Sequence, residues 1–170
     1  MLNIYINTWG NYNENGADLG EWITLPMDEA ELEAKLEEVA ERMKDNDPEW
    51  FVNDYEWTSE IEPRDIGENE NILELNAFIE ELDGLDKWDQ KEIAAAMEAW
   101  GYSFAEAMDK QQRGYFTFYA DATLEEVAEE IINDCYDLPE FALRYFDYEA
   151  FARDLSFDGY CETEYGVIVE

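Results

Sequence analysis

The sequence predicts an α+β fold: an elongated chain of three small domains, with two α+β lobes flanking a helical middle. Two observations predict it. Runs with strand character gather at the two ends of the chain: LNIYIN (2–7), GEWITLP (20–26), WFVNDYEW (50–57), then YFTFYA (115–120) and a closing YCET and VIVE. Between them, residues 72–108 carry apolar side chains at helical spacing, bounded by Pro63, Gly67 and ENEN (68–71) before and by Gly114 after. The expected domains are residues 1–62, 63–113 and 114–170.

The elements follow in order. The polar stretch TWGNYNENGAD reads as a loop joining the first two strands, and Pro26 ends the second. Asp28 then N-caps a helix, with Glu31 three residues on and an apolar stripe of Leu32, Leu36, Val39 and Met43. In the third strand, strict alternation puts Phe51, Asn53, Tyr55 and Trp57 on one side and Trp50, Val52, Asp54 and Glu56 on the other. That alternation separates apolar from polar only imperfectly. ILELNAFIEEL (72–82) stops at Asp83–Gly84, and KWDQKEIAAAMEAW (87–100) stops at Gly101. Ser103 with Glu106 is a capping box opening a short helix through Met108. Thr123 with Glu126 opens another, whose apolar face is Leu124, Val127, Ala128, Ile131 and Cys135. EFALRYF and YEAFARDL are short helical pieces, and the turn Glu164–Tyr165–Gly166 closes a terminal hairpin.

Charge dominates the composition. Of 170 residues, 45 are Asp or Glu and only 10 are Lys or Arg, a formal net charge of −35. Self-repulsion of that size opposes compaction, but 46% hydrophobic and 15% aromatic residues suffice to build cores. A folded protein with an extremely acidic exterior is expected: it repels nucleic acid and anionic membrane and attracts basic surfaces. Glu33, Glu37 and Glu41 recur four apart, away from the apolar stripe, and Glu126, Glu130 and Asp134 repeat the arrangement. Such carboxylates lie about 6 Å apart along the axis, and each like pair weakens a helix by roughly 0.2–0.5 kcal/mol. A solvated face, supported by i,i+4 pairs from Glu31 to Lys35 and Glu38 to Arg42, is the ordinary reading. Too few bases exist for that reading to account for all the acids.

Duplex DNA carries one charge per about 1.7 Å of axis, so a net charge of −35 matches roughly 60 Å of duplex. A compact globule of this length, with a radius of gyration near about 15 Å, is too short to lay its charges out at that density. Three lobes in a row would be longer, and an elongated acidic rod doubled by dimerisation would imitate the charge of a bound duplex, although adaptation to salt also gives strongly acidic proteins.

Several function classes are excluded or weakened. There is no histidine, which removes imidazole triads, imidazole metal ligands and the usual general base near neutral pH. Ten scattered bases make no nucleic-acid patch. Cys135 and Cys161 form no C-x-x-C; reduced thiols are the simplest reading, and a disulfide between them stays open. No run is long and apolar enough to span a bilayer, and the opening MLNIYINTWGNYN lacks a signal-peptide pattern, so a cytoplasmic location is expected. Asp45, Asp47, Glu49 and Glu56 occupy positions 1, 3, 5 and 12 of a Ca²⁺ loop pattern, but Trp50 stands where the turn wants glycine, and Pro48 intrudes. A Ca²⁺-dependent binding protein and an acidic module for some other basic DNA-binding protein are the alternative readings. No catalytic residue and no cofactor is expected.

The segments IYINTWGNYNENG (4–16), GEWITLP (20–26), DYE (54–56), FDYEAFARDL (146–155) and YCETEYGVIVE (160–170) resemble the ArdA antirestriction family. The landmarks run in order from both ends, and the helical middle matches in character rather than by motif. The resemblance implies a protein of mobile genetic elements, built of three small domains and forming an elongated homodimer. Such a protein mimics DNA and occupies the DNA-binding groove of type I restriction–modification enzymes, with no catalytic residues. The acids expected to stand in for phosphates are Glu33, Glu37, Glu41, Asp54, Glu56, Glu60, Glu62, Glu80, Glu81, Glu126, Glu130 and Asp134. Leu138, Pro139, Phe141, Phe146 and Tyr148 fall in the segment that corresponds to the family's antirestriction motif at the dimer contact.

Overall fold

The computed structural model describes residues 1–170. The chain divides into two compact units, Met1–Asp86 and Lys87–Glu170, each a mixed α+β body around a three-stranded antiparallel sheet.

The first unit runs β1 (Leu2–Thr8), α1 (Trp9–Asn15), β2 (Glu21–Leu25), α2 (Glu29–Met43), β3 (Trp50–Trp57) and α3 (Ile72–Asp83). Its strand order is β2-β1-β3. Leu2, Ile4 and Ile6 of β1, with Ile23 and Leu25 of β2, turn one face of the sheet into a buried apolar layer. Leu32 and Leu36 of α2 and Ile72, Leu75 and Ile79 of α3 close over it. Thus α3, expected in the helical middle, packs into the core of the first sheet. The Asn76 side chain fixes it there: its amide oxygen accepts from the Met27 N–H and its Nδ2 donates to the Met27 carbonyl, both at 2.9 Å.

Strict alternation fails in β3, and the cause is a bulge. Tyr5 faces Asp54 but Ile6 faces Val52, so Asn53 is left over and the register shifts there. An extra residue reverses the facing of everything beyond it. Trp50 and Val52 before the bulge, and Tyr55 and Trp57 after it, therefore all pack on the same core. Phe51, Asp54 and Glu56 share the opposite face. There Phe51 stacks on Trp9 with ring centroids 4.2 Å apart, and both acids are exposed.

The stretch expected as a loop forms α1. Thr8 caps it by accepting from the Asn11 N–H at 3.1 Å, and Gly16 ends it at φ 68°. Asn11 lies buried, its Nδ2 donating to Asn7 Oδ1 (2.8 Å) and to the Asp18 carbonyl (2.7 Å). Asn7 Nδ2 donates in turn to the Gly16 carbonyl at 3.2 Å. This helix is held by a polar network, so it has no apolar stripe to betray it.

The second unit comprises α4 (Lys87–Trp100), α5 (Phe104–Gln112), β4 (Thr117–Ala120), α6 (Leu124–Cys135), α7 (Glu140–Leu143), α8 (Tyr148–Phe157), β5 (Cys161–Thr163) and β6 (Gly166–Val169). The strand order is β4-β6-β5. Val167 faces Val127, Ala128, Ala152 and Leu155 of α6 and α8, while α4 lies along the strands and sets Trp88 edge-on to Phe118 of β4. Central β6 is thus covered on both faces, which is why its sequence is a continuous apolar run and not an alternation. Ser103 with Glu106 and Thr123 with Glu126 form complete capping boxes. The α5 helix runs four residues past Met108, to Gln112. On α6 the buried stripe is Val127, Ala128 and Ile132; Leu124 and Ile131 are half-buried, and Cys135, expected on that face, is exposed. Both cysteines are free thiols.

Candidate functional site

The acidic surface begins with where the few bases go. On α2, Lys35 and Arg42 do not take the expected Glu31 and Glu38 as i,i+4 partners. Both turn to Glu21 on β2, each at 2.5 Å, and Lys35 also reaches Glu38 at 3.2 Å. Glu21 shares the α2-facing side of β2 with Ile23 and Leu25, and that period-two spacing was legible in the sequence. Lys35 first, then Arg42, holds the Glu21 carboxyl below the ordinary carboxylate range, against the opposing effect of partial burial.

Other bases are engaged in the same local way. Arg64 grips Glu70 through both nitrogens, at 2.6 and 3.2 Å, and holds its carboxyl down together with the Gly67 N–H. Lys91 pairs with Asp121, Arg113 with Asp109 and Arg144 with Glu140. Lys110 lies 2.6 Å from Glu170 and between the rings of Tyr102 and Tyr115, and that carboxylate lifts its pKa above the ordinary lysine range.

All twelve acids singled out from the sequence are exposed. Glu33, Glu37 and Glu41 stand on α2, Asp54 and Glu56 on the outer face of β3, Glu60 and Glu62 in the segment after it, and Glu80 and Glu81 on α3. Glu126, Glu130 and Asp134 stand on α6 of the second unit. Glu126 differs from the others: its carboxylate accepts from the Thr123 N–H at 2.8 Å and hydroxyl at 3.1 Å, which lowers its pKa. It is a cap as well as a surface charge.

The residues of the calcium-loop pattern are drawn into other work. Asp45 accepts the Thr8 hydroxyl at 2.7 Å and the Asp47 N–H at 3.2 Å, while Glu56 lies in β3 opposite Asn3. No group of three or more acidic or thiol side chains is placed to hold a metal ion. No helix is long and apolar enough to cross a membrane.

The segment from Leu138 to Tyr148 splits into two sets. Phe146 and Tyr148 are half-buried, with ring centroids 5.0 Å apart, and Phe146 meets Phe151 edge-on at 5.9 Å beside the second core. Phe141 is 75% exposed, and it contacts Tyr145, 77% exposed. Leu138 is half-buried and Pro139 exposed. Tyr145, Tyr136 and Phe157 are exposed aromatics that sequence reasoning did not single out. In a helical piece as short as α7, periodicity gives no face by which to find Tyr145.

A comparison with curated proteins gives no match. The sequence model described as Antirestriction protein (ArdA) matches residues 4–169, nearly the whole chain. The chain belongs to the ArdA antirestriction family, a family of inhibitors that are not enzymes.

Proposed function

We propose that this protein is a DNA mimic that occupies the DNA-binding groove of type I restriction–modification enzymes, acting in the cytoplasm as a homodimer. The division of charge carries the reading. Lys35, Arg42, Arg64, Lys91 and Lys110 are spent on Glu21, Glu70, Asp121 and Glu170, while Glu33, Glu37 and Glu41 stand exposed along α2 at the helical four-residue spacing. A groove that sheds counterions on meeting phosphates sheds them equally on meeting such a surface. The other nine acids named above extend the same imitation, and Leu138, Pro139, Phe141, Phe146 and Tyr148 supply the dimer contact. Exposed rings at Phe141 and Tyr145 have the character of an interface core.

The test is a competition titration. Labelled duplex is bound to a type I methyltransferase core and challenged with the protein at two salt concentrations. Near-stoichiometric displacement that weakens with salt, from a protein that does not itself bind DNA, is expected. Replacing any one of Glu33, Glu37 or Glu41 by Gln leaves displacement nearly unchanged, and replacing all three weakens it. Absence of displacement at low salt overturns the reading and gives the acidic surface to another basic partner.

A further inference from the structure

A groove crosses the first unit between α2, the start of β3 and the start of α3. Its larger part, about 720 Å³, has half-buried Leu36, Pro48 and Trp50 beneath exposed Glu37 and Glu41. Its smaller part, about 420 Å³, shares Leu36 and Trp50 and continues to Ile72 and Leu73. Both volumes fall in the range of ligand-binding clefts, roughly 300–1,000 Å³. Leu36 and Trp50 pack on the core, so the floor is formed before anything binds.

The charge around this floor is one-sided. On the α2 side stand Glu37, Glu41 and Asp45, with Lys44 as the base beside them. Glu41 and Asp45 flank the C-terminal end of this fifteen-residue helix, where the backbone dipole also favours cations. On the α3 side Glu70 is neutralised by Arg64, and the helix N-terminus turns the positive end of its dipole to the groove. A neutral apolar ligand would strip water from the acids without replacing it. A purely cationic one would leave the floor uncovered.

We propose that this groove docks a basic segment of a partner protein that carries one apolar side chain between its cations. The cations lie over Glu37 and Glu41, and the apolar side chain lies over Trp50 toward Leu73. This rests on the reading above that the partner is a basic protein, and adds to charge imitation an anchor that salt does not screen. Buried apolar anchors of this kind carry most of the energy in protein interfaces.

The test uses the full chain and two capped synthetic peptides, Lys-Arg-Leu-Arg-Lys and Lys-Arg-Gly-Arg-Lys, titrated by calorimetry and by amide NMR at low and high salt. The leucine peptide is expected to bind about tenfold tighter than the glycine peptide, about 1.4 kcal/mol. The ratio holds at high salt, and the shifts concentrate at Trp50, Ile72 and Leu73. Leu73→Ala, at a position 38% exposed, removes the preference without changing the melting temperature. The pair Glu37→Lys and Glu41→Lys weakens both peptides. Equal affinities, shifts scattered over the surface, or a preference that survives Leu73→Ala overturn the proposal. So does a loss of self-association in Leu73→Ala, which assigns the groove to a second copy. Displacement of duplex from the methyltransferase alongside equal peptide affinities leaves mimicry standing and the groove refuted; a localised leucine preference without displacement does the reverse.

Discussion

The ammonium of Lys35 on α2 lies 2.5 Å from the carboxylate of Glu21 on β2, and with Arg42 at the same distance it fastens the helix to the edge strand. These two bases are thereby drawn to β2 and away from Glu33, Glu37 and Glu41 on the outer face of α2. Glu21→Gln releases both. Each such partly exposed pair contributes roughly 0.2–1 kcal/mol, so the loss is about 1 kcal/mol, read by urea unfolding at neutral pH. The pH dependence has a definite sign. The folded carboxyl is held below its unfolded value, so its contribution is present above that value and disappears as pH falls through the folded one. The gap between parent and Glu21→Gln therefore narrows on acidification. A gap that stays constant assigns the effect to packing and not to charge.

Self-repulsion sets a second expectation. With a net charge of −35 and the acids at the surface, repulsion between exposed groups opposes the folded state. Raising the salt from about 0.01 M to about 1 M shrinks the screening length from about 30 Å to about 3 Å. The melting temperature is expected to climb across this range, with sodium chloride as the salt and calorimetry as the readout. A melting temperature that falls with salt would mean that the local ion pairs outweigh the repulsion.

Two glycines separate backbone strain from steric collision. At Gly16, φ is 68° and ψ −142°, a region open essentially to glycine alone, and nothing lies within 4 Å of an added Cβ, so Gly16→Ala meets a backbone penalty of roughly 1–3 kcal/mol with no collision. At Gly166, φ is 134° and an added Cβ runs into the Tyr119 carbonyl oxygen across the β4–β6 ladder. Gly166→Ala is expected to cost clearly more than the Gly16 change, beyond the roughly 1–3 kcal/mol of a strained backbone alone. Denaturant midpoints of the two variants give the comparison, and equal losses would refute it.

What was legible in the sequence follows from which interactions are local. α2 and α6 were readable because an apolar stripe and a capping residue immediately before it, Asp28 or Thr123, are both local in the sequence. The bulge at Asn53 was not, since it exists only in pairing with Tyr5 and Ile6; the sequence showed merely that alternation is poor. α1 was hidden because Asn7, Thr8 and Asn11 are turn formers by composition and make a helix here through mutual hydrogen bonds. At the acidic surface, exposure of Glu33, Glu37 and Glu41 was predictable from helical spacing. The destination of Lys35 and Arg42 was harder, because Glu21 lies outside the helix that the i,i+4 rule describes.

The two aromatic sets between Leu138 and Tyr148 give the last prediction. Phe141 touches Tyr145 and is otherwise in water, so Phe141→Asp removes nothing from the core. Phe146 meets Tyr148 and Phe151, and Phe151 packs against Val127, Ala152 and Leu155. Phe146→Ala should therefore lower the melting temperature, its cost kept below the roughly 3–5 kcal/mol of a fully buried ring by partial exposure. If the exposed pair is the dimer contact, Phe141→Asp shifts the sedimentation of the protein toward monomer while the melting temperature of the dilute protein stays unchanged. An exposed carboxylate placed against its own symmetry mate is a repulsive element in a twofold interface, so the shift should be larger than for Phe141→Ala. Unchanged sedimentation in both Phe141 variants would remove this segment from the contact, and the exposed rings at Tyr136 and Phe157 would be the next to test.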